Sequence, residues 1–152
     1  MTDDSVITDE MRKAIGTEGP QCVVEIEKRL IKRFAEAVGD SNPLWLDEEY
    51  ARKSKNGGIT APPMVFLAVM MSGGATRPEV PDPFERVLDI GGEWEFLQSV
   101  RPGDEVTSVT TLTGMRERNG KLGKMIFWTF ETTHTNQKGE IVATSKSTIA
   151  TY

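Results

Sequence analysis

The sequence predicts an α+β domain in which an antiparallel sheet wraps around one central, apolar helix. The helix is predicted from the apolar run 64–71, which follows Pro62 and Pro63. Proline fits the first turn of a helix, where its missing N–H has no intrahelical partner. The sheet is predicted from segments rich in Thr, Val, Ile, Phe and Trp, as strands are. These segments are Glu93–Leu97, Glu105–Met115, Lys124–Thr135 and Glu140–Thr151.

Short turns separate the predicted strands. The segments Arg101–Asp104, Asn119–Gly120 and Asn136–Gly139 carry Pro, Gly and Asn residues that favour tight turns. Short connections make successive strands antiparallel neighbours. The run 64–71 is apolar all round, so as a helix it needs to be enclosed by other structure. The Gly- and Pro-rich stretch 73–83 is predicted to be a loop.

Two further helices are predicted upstream of the apolar run. Over Glu27–Val38 the apolar residues recur at three- and four-residue steps, which indicates an amphipathic helix. Gly39 ends it, because glycine tolerates the left-handed conformation just past a helix. A second, short helix starts near Asp47, a good cap, and ends before Asn56–Gly58. The stretch Val23–Ile26 is either a short strand or the entry to the first helix.

Length and composition indicate one soluble domain. The chain has 152 residues; we expect a loose lead-in over 1–20, with one short helix at Asp9–Ile15, and a single domain over 21–152. The net charge of −5 argues against nucleic acid as a partner. Cys22 is the sole cysteine, which favours a reducing compartment. No apolar run approaches the ~20 residues of a membrane span, so we expect a cytoplasmic protein without a membrane partner.

The most informative segment runs from Gly39 to Trp45 and reads Gly-Asp-Ser-Asn-Pro-Leu-Trp. Taken by itself, it is a helix stop followed by a turn held by Asx-type hydrogen bonds. In this structural interpretation Asp40 caps the turn. Trp45 is then either a core or interface aromatic or, in a functional interpretation, one wall of an apolar pocket.

The same segment resembles the signature of the MaoC-like (R)-specific enoyl-CoA hydratases, which have the hotdog fold. That signature is Gly-Asp-x-Asn-Pro-Leu-His, followed by an Ile-Ala-His-Gly entry to the central helix. The resemblance covers residues 20–152 and is strongest to the N-terminal-type dehydratase domains of fused or two-chain hydratases. The matching residues are Gly39, Asp40, Asn42, Pro43 and Leu44, and downstream Gly91, Gly92, Trp94 and Arg101–Asp104.

The resemblance implies a reaction and a set of site residues. An Asp and a His would act as an acid/base pair on water added to, or removed from, the double bond of an acyl thioester. The carrier would be coenzyme A or an acyl carrier, with no cofactor or metal. A backbone N–H at the start of the central helix would stabilise the enolate oxygen. The implied residues are Asp40 at the catalytic position and Asn42, Trp45, Pro63 and Met64 at the substrate.

Two departures from the signature indicate that the site of this chain is incomplete. Trp45 stands where the His belongs, and an indole is a donor only, without useful basicity. Pro63 falls where the glycine supplies its N–H, and proline has none. His134, the sole histidine, lies at the predicted end of a strand, and we expect it to face solvent rather than to rescue catalysis.

Three functions remain open at this point. The first is a non-catalytic or supporting subunit of a heteromeric enoyl-CoA hydratase or 3-hydroxyacyl-thioester dehydratase. It would shape the acyl tunnel for a second hotdog subunit that carries the Asp and His. The second is a stand-alone hydratase in which Asp40 and a water do the work. The third is a non-enzymatic acyl-thioester-binding module.

Overall fold

The computed structural model describes residues 5–72 and 77–152. Its one antiparallel sheet has the strand order β1-β3-β4-β5-β2. The strands are β1 (Cys22–Glu25), β2 (Val87–Phe96), β3 (Glu105–Gly120), β4 (Gly123–Thr135) and β5 (Ile141–Thr151). The helices are α1 (Asp9–Lys13), α2 (Lys28–Val38), α3 (Pro43–Leu46), α4 (Glu48–Lys53) and α5 (Val65–Met71).

The predicted sheet is confirmed, and three of its strands are longer than the sequence indicated. β3 and β4 continue to a tight hairpin that pairs Gly120 with Gly123. β2 begins at Val87 instead of Glu93 and passes through a bulge, where the register against β5 shifts between Asp89 and Gly91. Gly91 has φ +133°, a value that glycine adopts without strain. Gly91 and Gly92, which precede the predicted strand start at Glu93, therefore lie inside a bulged strand.

The predicted helices upstream of the apolar run are also confirmed. α2 follows Glu27 and ends at Gly39, which has φ +71° in the left-handed region. The Asp47 side chain accepts a hydrogen bond from the backbone N–H of Tyr50 across 2.9 Å, and so caps α4. In the part of the chain that the structure describes, no helix combines the length and the apolar character needed to cross a bilayer.

The apolar helix α5 packs on the sheet with only one of its faces. Val65, Phe66 and Val69 are buried in the core. Met64, which precedes the helix, and Leu67 and Met71 remain 37%, 42% and 81% exposed. The prediction that this segment is enclosed all round is therefore wrong for the single chain, because one sheet covers only one side of a helix. An apolar surface left open in this way is typical of an association face.

The core has two separate clusters along the strands. The first lies under α5 and contains Val106 of β3 and Val142 of β5. The second contains Leu112, Trp128 and Ile149 together with residues of the lead-in. Its members from the lead-in are Ile7 and Met11, which are 8% and 1% exposed. Over residues 5–20 the lead-in is thus packed rather than loose, because α1 covers the part of the sheet that α5 does not reach.

Buried polar residues separate these two clusters. On β3 and β4, Ser108 Oγ lies 2.7 Å from His134 Nδ1, and Thr110 Oγ1 lies 2.9 Å from Thr132 Oγ1. All four side chains are at most 2% exposed. Each pair is directly opposite in the antiparallel register. Buried polar groups are tolerated here because they hydrogen-bond to one another.

Candidate active site

The loop between α2 and α4 holds three of the predicted site residues. After Gly39, the backbone N–H of Asp40 donates to the carbonyl oxygen of Ala35 across 2.8 Å and closes the helix end. Asp40 Oδ1 then accepts from the N–H of Asn42 at 3.0 Å. The Asn42 side chain in turn accepts from the N–H of Leu44 at 3.0 Å and caps α3. The predicted Asx-type turn is therefore present.

Trp45 meets Asp40 within this loop. The indole Nε1 of Trp45 donates to Asp40 Oδ2 across 2.8 Å, while its partly buried ring packs against the first core cluster. Both carboxylate oxygens of Asp40 are engaged by donors from its own loop. An indole N–H has no lone pair to accept a proton. The pair can thus orient groups but cannot pass a proton along the loop.

Pro63 and Met64 lie apart from this loop, at the entry to α5. A cavity of about 140 Å³ opens there, between the entry and the segment that follows β2. Its lining includes Pro63, but none of Asp40, Asn42, Trp45 or Met64. The residues that line it are Ala61, Pro62, Pro63, Phe66 and Phe96–Val100. The structure thus splits the predicted residues into a loop group and a cavity residue, with Met64 exposed on the surface beside it.

His134 is buried, which corrects the expectation that it faces solvent. Its ring is 0% exposed and lies 5.0 Å from the ring of Phe66 and 5.8 Å from that of Trp94. Among the described residues, no group forms a hydrogen bond to Nε2. Burial lowers the pKa of His134 from 6.5 to about 4, since the charged form is desolvated. The imidazole is therefore neutral at pH 7 and sits behind Phe66, a lining residue of the cavity.

A sequence signal for this burial was available. Side chains alternate between the two faces of a strand, and His134 is separated by even steps from the core residues Trp128 and Phe130. The prediction that His134 faces solvent rests on its place near the end of a strand and does not use this alternation. The alternation places His134 on the face of the sheet that packs against the core, with its Nδ1 against Ser108.

The comparisons with known proteins agree with this architecture. A family model described as the FAS1-like dehydratase domain region matches residues 13–145. A probable enoyl-CoA hydratase alpha subunit from Thermomonospora curvata is 30% identical over 134 residues, which cover 77% of this chain and 42% of that protein. This chain therefore spans less than half of that relative.

Solved structures share the fold. A MaoC-like dehydratase from Rhodospirillum rubrum superposes with a TM-score of 0.72 at 27% identity, covering 91% of this chain and 92% of that one. The ChsH1-ChsH2 complex from Mycobacterium tuberculosis gives 0.74 at 24% identity, covering 90% of this chain and 84% of the matched chain. An antiparallel sheet wrapped on one helix, with these neighbours, is the hotdog fold. The chain belongs to the MaoC-like dehydratase family, through its FAS1-like dehydratase domain region.

Proposed function

We propose that this chain is the supporting, non-catalytic subunit of a heteromeric enoyl-CoA hydratase or 3-hydroxyacyl-thioester dehydratase. The observation that carries the proposal is the 2.8 Å hydrogen bond from the Trp45 indole to Asp40. The resemblance implies an imidazole at position 45. Here that position holds a group that only donates, so water addition has no proton relay in this loop.

The histidine elsewhere in the chain does not replace the relay. His134 is 0% exposed, and its Nδ1 is already 2.7 Å from Ser108 Oγ. A general base needs hydrogen-bond reach to the proton that it removes. A ring enclosed by Phe66 and Trp94 offers no such approach to a substrate. The second chemical requirement, an N–H at the position that the resemblance assigns to the enolate oxygen, falls on Pro63 and is also unmet.

Part of the acyl group would be held by apolar surface of this chain. The cavity at the α5 entry combines Pro63 with the rings of Phe66 and Phe96, which suits an acyl chain better than a polar group. Trp45 would form a wall of the same tunnel once a partner closes it. Asn42 and Met64 complete the predicted substrate side, although Asn42 already caps α3.

The edge strand β2 offers a surface on which a second subunit can bind. This strand is the edge of the sheet next to β5, and it runs for ten residues. Val87, Ile90 and Phe96 on it are 57%, 49% and 39% exposed. A long edge strand that exposes apolar side chains can pair with another chain. The other edge, β1, has only four residues. We therefore place the second hotdog subunit on β2, with the acyl thioester along the seam.

The relatives support an assembly of this kind. The Thermomonospora relative is named an alpha subunit, and the ChsH1-ChsH2 neighbour is a complex of two chains. In such an assembly, the partner would supply the Asp and His. Loss of the acid/base pair from one half then leaves the reaction intact and changes only the shape of the acyl tunnel.

The proposal is tested by purifying the chain alone and together with a second hotdog chain that carries the Asp/His pair. Hydration of crotonyl-CoA and of bulkier enoyl-CoA thioesters is then measured for both samples. We expect turnover from the complex only, unchanged by Asp40→Asn in this chain and abolished by the equivalent Asp→Asn change in the partner. Turnover by the lone chain that Asp40→Asn removes would show instead a stand-alone hydratase.

A further inference from the structure

A basic cavity of about 250 Å³ lies beside the entry to α5, in a chain whose net charge is −5. It is formed where α2, α4, the loop before α5 and the loop before β3 meet. Its lining residues are Lys28, Glu48, Arg52, Gly58, Ile59, Arg101 and Pro102. We propose that this cavity binds the phosphate groups of the thioester carrier, a proposal that rests on the proposed function.

The charges inside the cavity do not cancel. Lys28 Nζ pairs with Glu48 Oε1 at 2.5 Å, and the hydrogen bond from Lys28 lowers the pKa of Glu48 below its usual value. The carboxylate is thus already neutralised by its lysine. Among the described residues, neither Arg52 nor Arg101 takes part in an ion pair. The lining therefore combines three cations with the single carboxylate of Glu48, which also interacts with Arg52 at longer range.

Arg101 is held in place for this role. One of its Nη2 hydrogens is donated to the carbonyl oxygen of Asn56. Its Nη1 lies 3.7 Å from where a Cβ on Gly58 would stand, so the guanidinium packs on the bare glycine backbone. An arginine has five N–H donors in a fixed fork, and most remain available. Such a fork matches the oxygens of a phosphate.

The arrangement differs from the other surface charges of these helices. Lys53 on α4 pairs with Glu49 and Lys32 on α2 pairs with Glu36, each four residues apart on its own helix. Those pairs are ordinary solvated contacts. The cavity guanidiniums instead come from separate parts of the chain and converge on one concave site, as polyanion recognition requires.

The cavity is connected to the apolar cavity by a short stretch of backbone. The N–H of Ala61 donates to the carbonyl oxygen of Val100 across 2.8 Å, which joins the two segments that line both cavities. Gly58 lines the basic cavity and Pro63 the apolar one. Gly58 and Pro63 are five positions apart in the chain, so they are separated by at most ~18 Å. An extended pantetheine arm thus links phosphates at one end to an acyl group at the other.

The test uses the full chain, alone and in its complex with the second hotdog subunit. Calorimetry with coenzyme A should show binding, and Arg52→Gln and Arg101→Gln should each weaken it about fivefold. The double variant should weaken it about 25-fold, because the free-energy effects of two separate residues add. The same double variant should raise the KM of the complex by a similar factor at constant kcat. Lys53→Gln, next to Arg52 on α4, should change neither quantity. Circular dichroism confirms that the variants are folded.

Removing the charge of either of two neighbouring glutamates provides a test in the opposite direction. Glu48→Gln frees Lys28 inside the cavity and should tighten coenzyme A binding about fivefold. Glu49→Gln frees Lys53 outside it and should leave binding unchanged. Raising the salt concentration should weaken binding more for the wild type than for the Arg52→Gln/Arg101→Gln double variant.

Two smaller probes separate the possible sources of the phosphate. Tight binding of 3′,5′-ADP identifies coenzyme A, whereas binding of 4′-phosphopantetheine alone identifies a carrier protein. Wild-type affinity and wild-type KM in the Arg52→Gln/Arg101→Gln variant would overturn the phosphate site, even with a fully active complex. Turnover by the lone chain would instead overturn the proposed function, whatever the outcome of the binding measurements.

Discussion

The Nε1 of Trp45 lies 2.8 Å from the Oδ2 of Asp40, five residues back along the same loop. With the Asn42 N–H on Oδ1, this bond makes the carboxylate the centre of the turn between α2 and α3. The family resemblance implies a proton-transfer group at position 45, and this chain carries there an indole that donates to Asp40. The strength of this hydrogen bond can be measured independently of any catalytic assay.

Trp45→Phe removes the indole donor and keeps an aromatic ring. We expect the free energy of unfolding in urea to fall by about 1 kcal/mol, because Asp40 loses one charge-assisted hydrogen bond. Combining it with Asp40→Asn should cost less than the sum of the single changes, since the two residues interact. Tyr50→Phe, at an exposed ring on α4, serves as the control and should cost under about 0.5 kcal/mol. Strict additivity of Trp45→Phe and Asp40→Asn would contradict the bond.

His134 should make the fold sensitive to acid. Its pKa is about 4 in the folded chain, against 6.5 as the ordinary value, so the unfolded chain binds more protons between these pH values. The neutral imidazole therefore contributes fully to the free energy of unfolding above pH 6.5. As the pH falls from 6.5 to about 4, up to about 3 kcal/mol of this stability is lost. Because it is the sole histidine, its ring resonances in NMR report the folded pKa directly. A midpoint near 6.5 would show that the ring is not buried.

The lead-in should contribute to stability through one side chain. Met11→Ala on α1 removes a methionine that is 1% exposed and packs in the second core cluster. We expect a loss of about 2–4 kcal/mol in the free energy of unfolding. Met71→Ala, at a residue that is 81% exposed, is the matched control and should cost less than about 0.5 kcal/mol. A loss for Met11→Ala as small as that for Met71→Ala would mean that α1 is detached from the sheet in solution.

The edge strand β2 should govern association. Ile90→Lys places a charge on an exposed position of this edge, a change that disfavours strand pairing. Val23→Lys makes the same change on the opposite edge, β1, where Val23 is 52% exposed. In sedimentation with the second hotdog subunit, we expect Ile90→Lys to dissociate the complex and Val23→Lys to leave it intact. The reverse pattern would move the interface to β1.

Much of the architecture was readable in the sequence because local signals and burial coincide. The apolar steps of α2, the Asp47 cap of α4 and the alternating strands each predicted an element that is present. The extension of β2 to Val87 was not readable, because Gly91 and Gly92 look like a strand end. Only pairing with β5 shows that they belong to a bulged strand.

The candidate site was predictable in its loop and not in its surroundings. The order of residues from Gly39 to Trp45 was enough to predict the turn, which depends on contacts within a few residues. The cavity beside Pro63 and the convergence of Arg52 with Arg101 depend on long-range packing. The packing of Met11 against the sheet had no periodic signal, since α1 has only five residues.

The polar pairs between the core clusters fix how β3 and β4 align. Sliding β4 by two residues would keep every side chain on its own face, so hydrophobic alternation alone does not forbid it. It would set Thr110 against Phe130 and His134 against Val106, by the observed register. Each buried polar group left without a hydrogen-bond partner would then lower the free energy of unfolding by about 1–3 kcal/mol. The hydroxyls and the imidazole therefore favour the observed alignment of the β3–β4 hairpin over the alignment that is shifted by two residues.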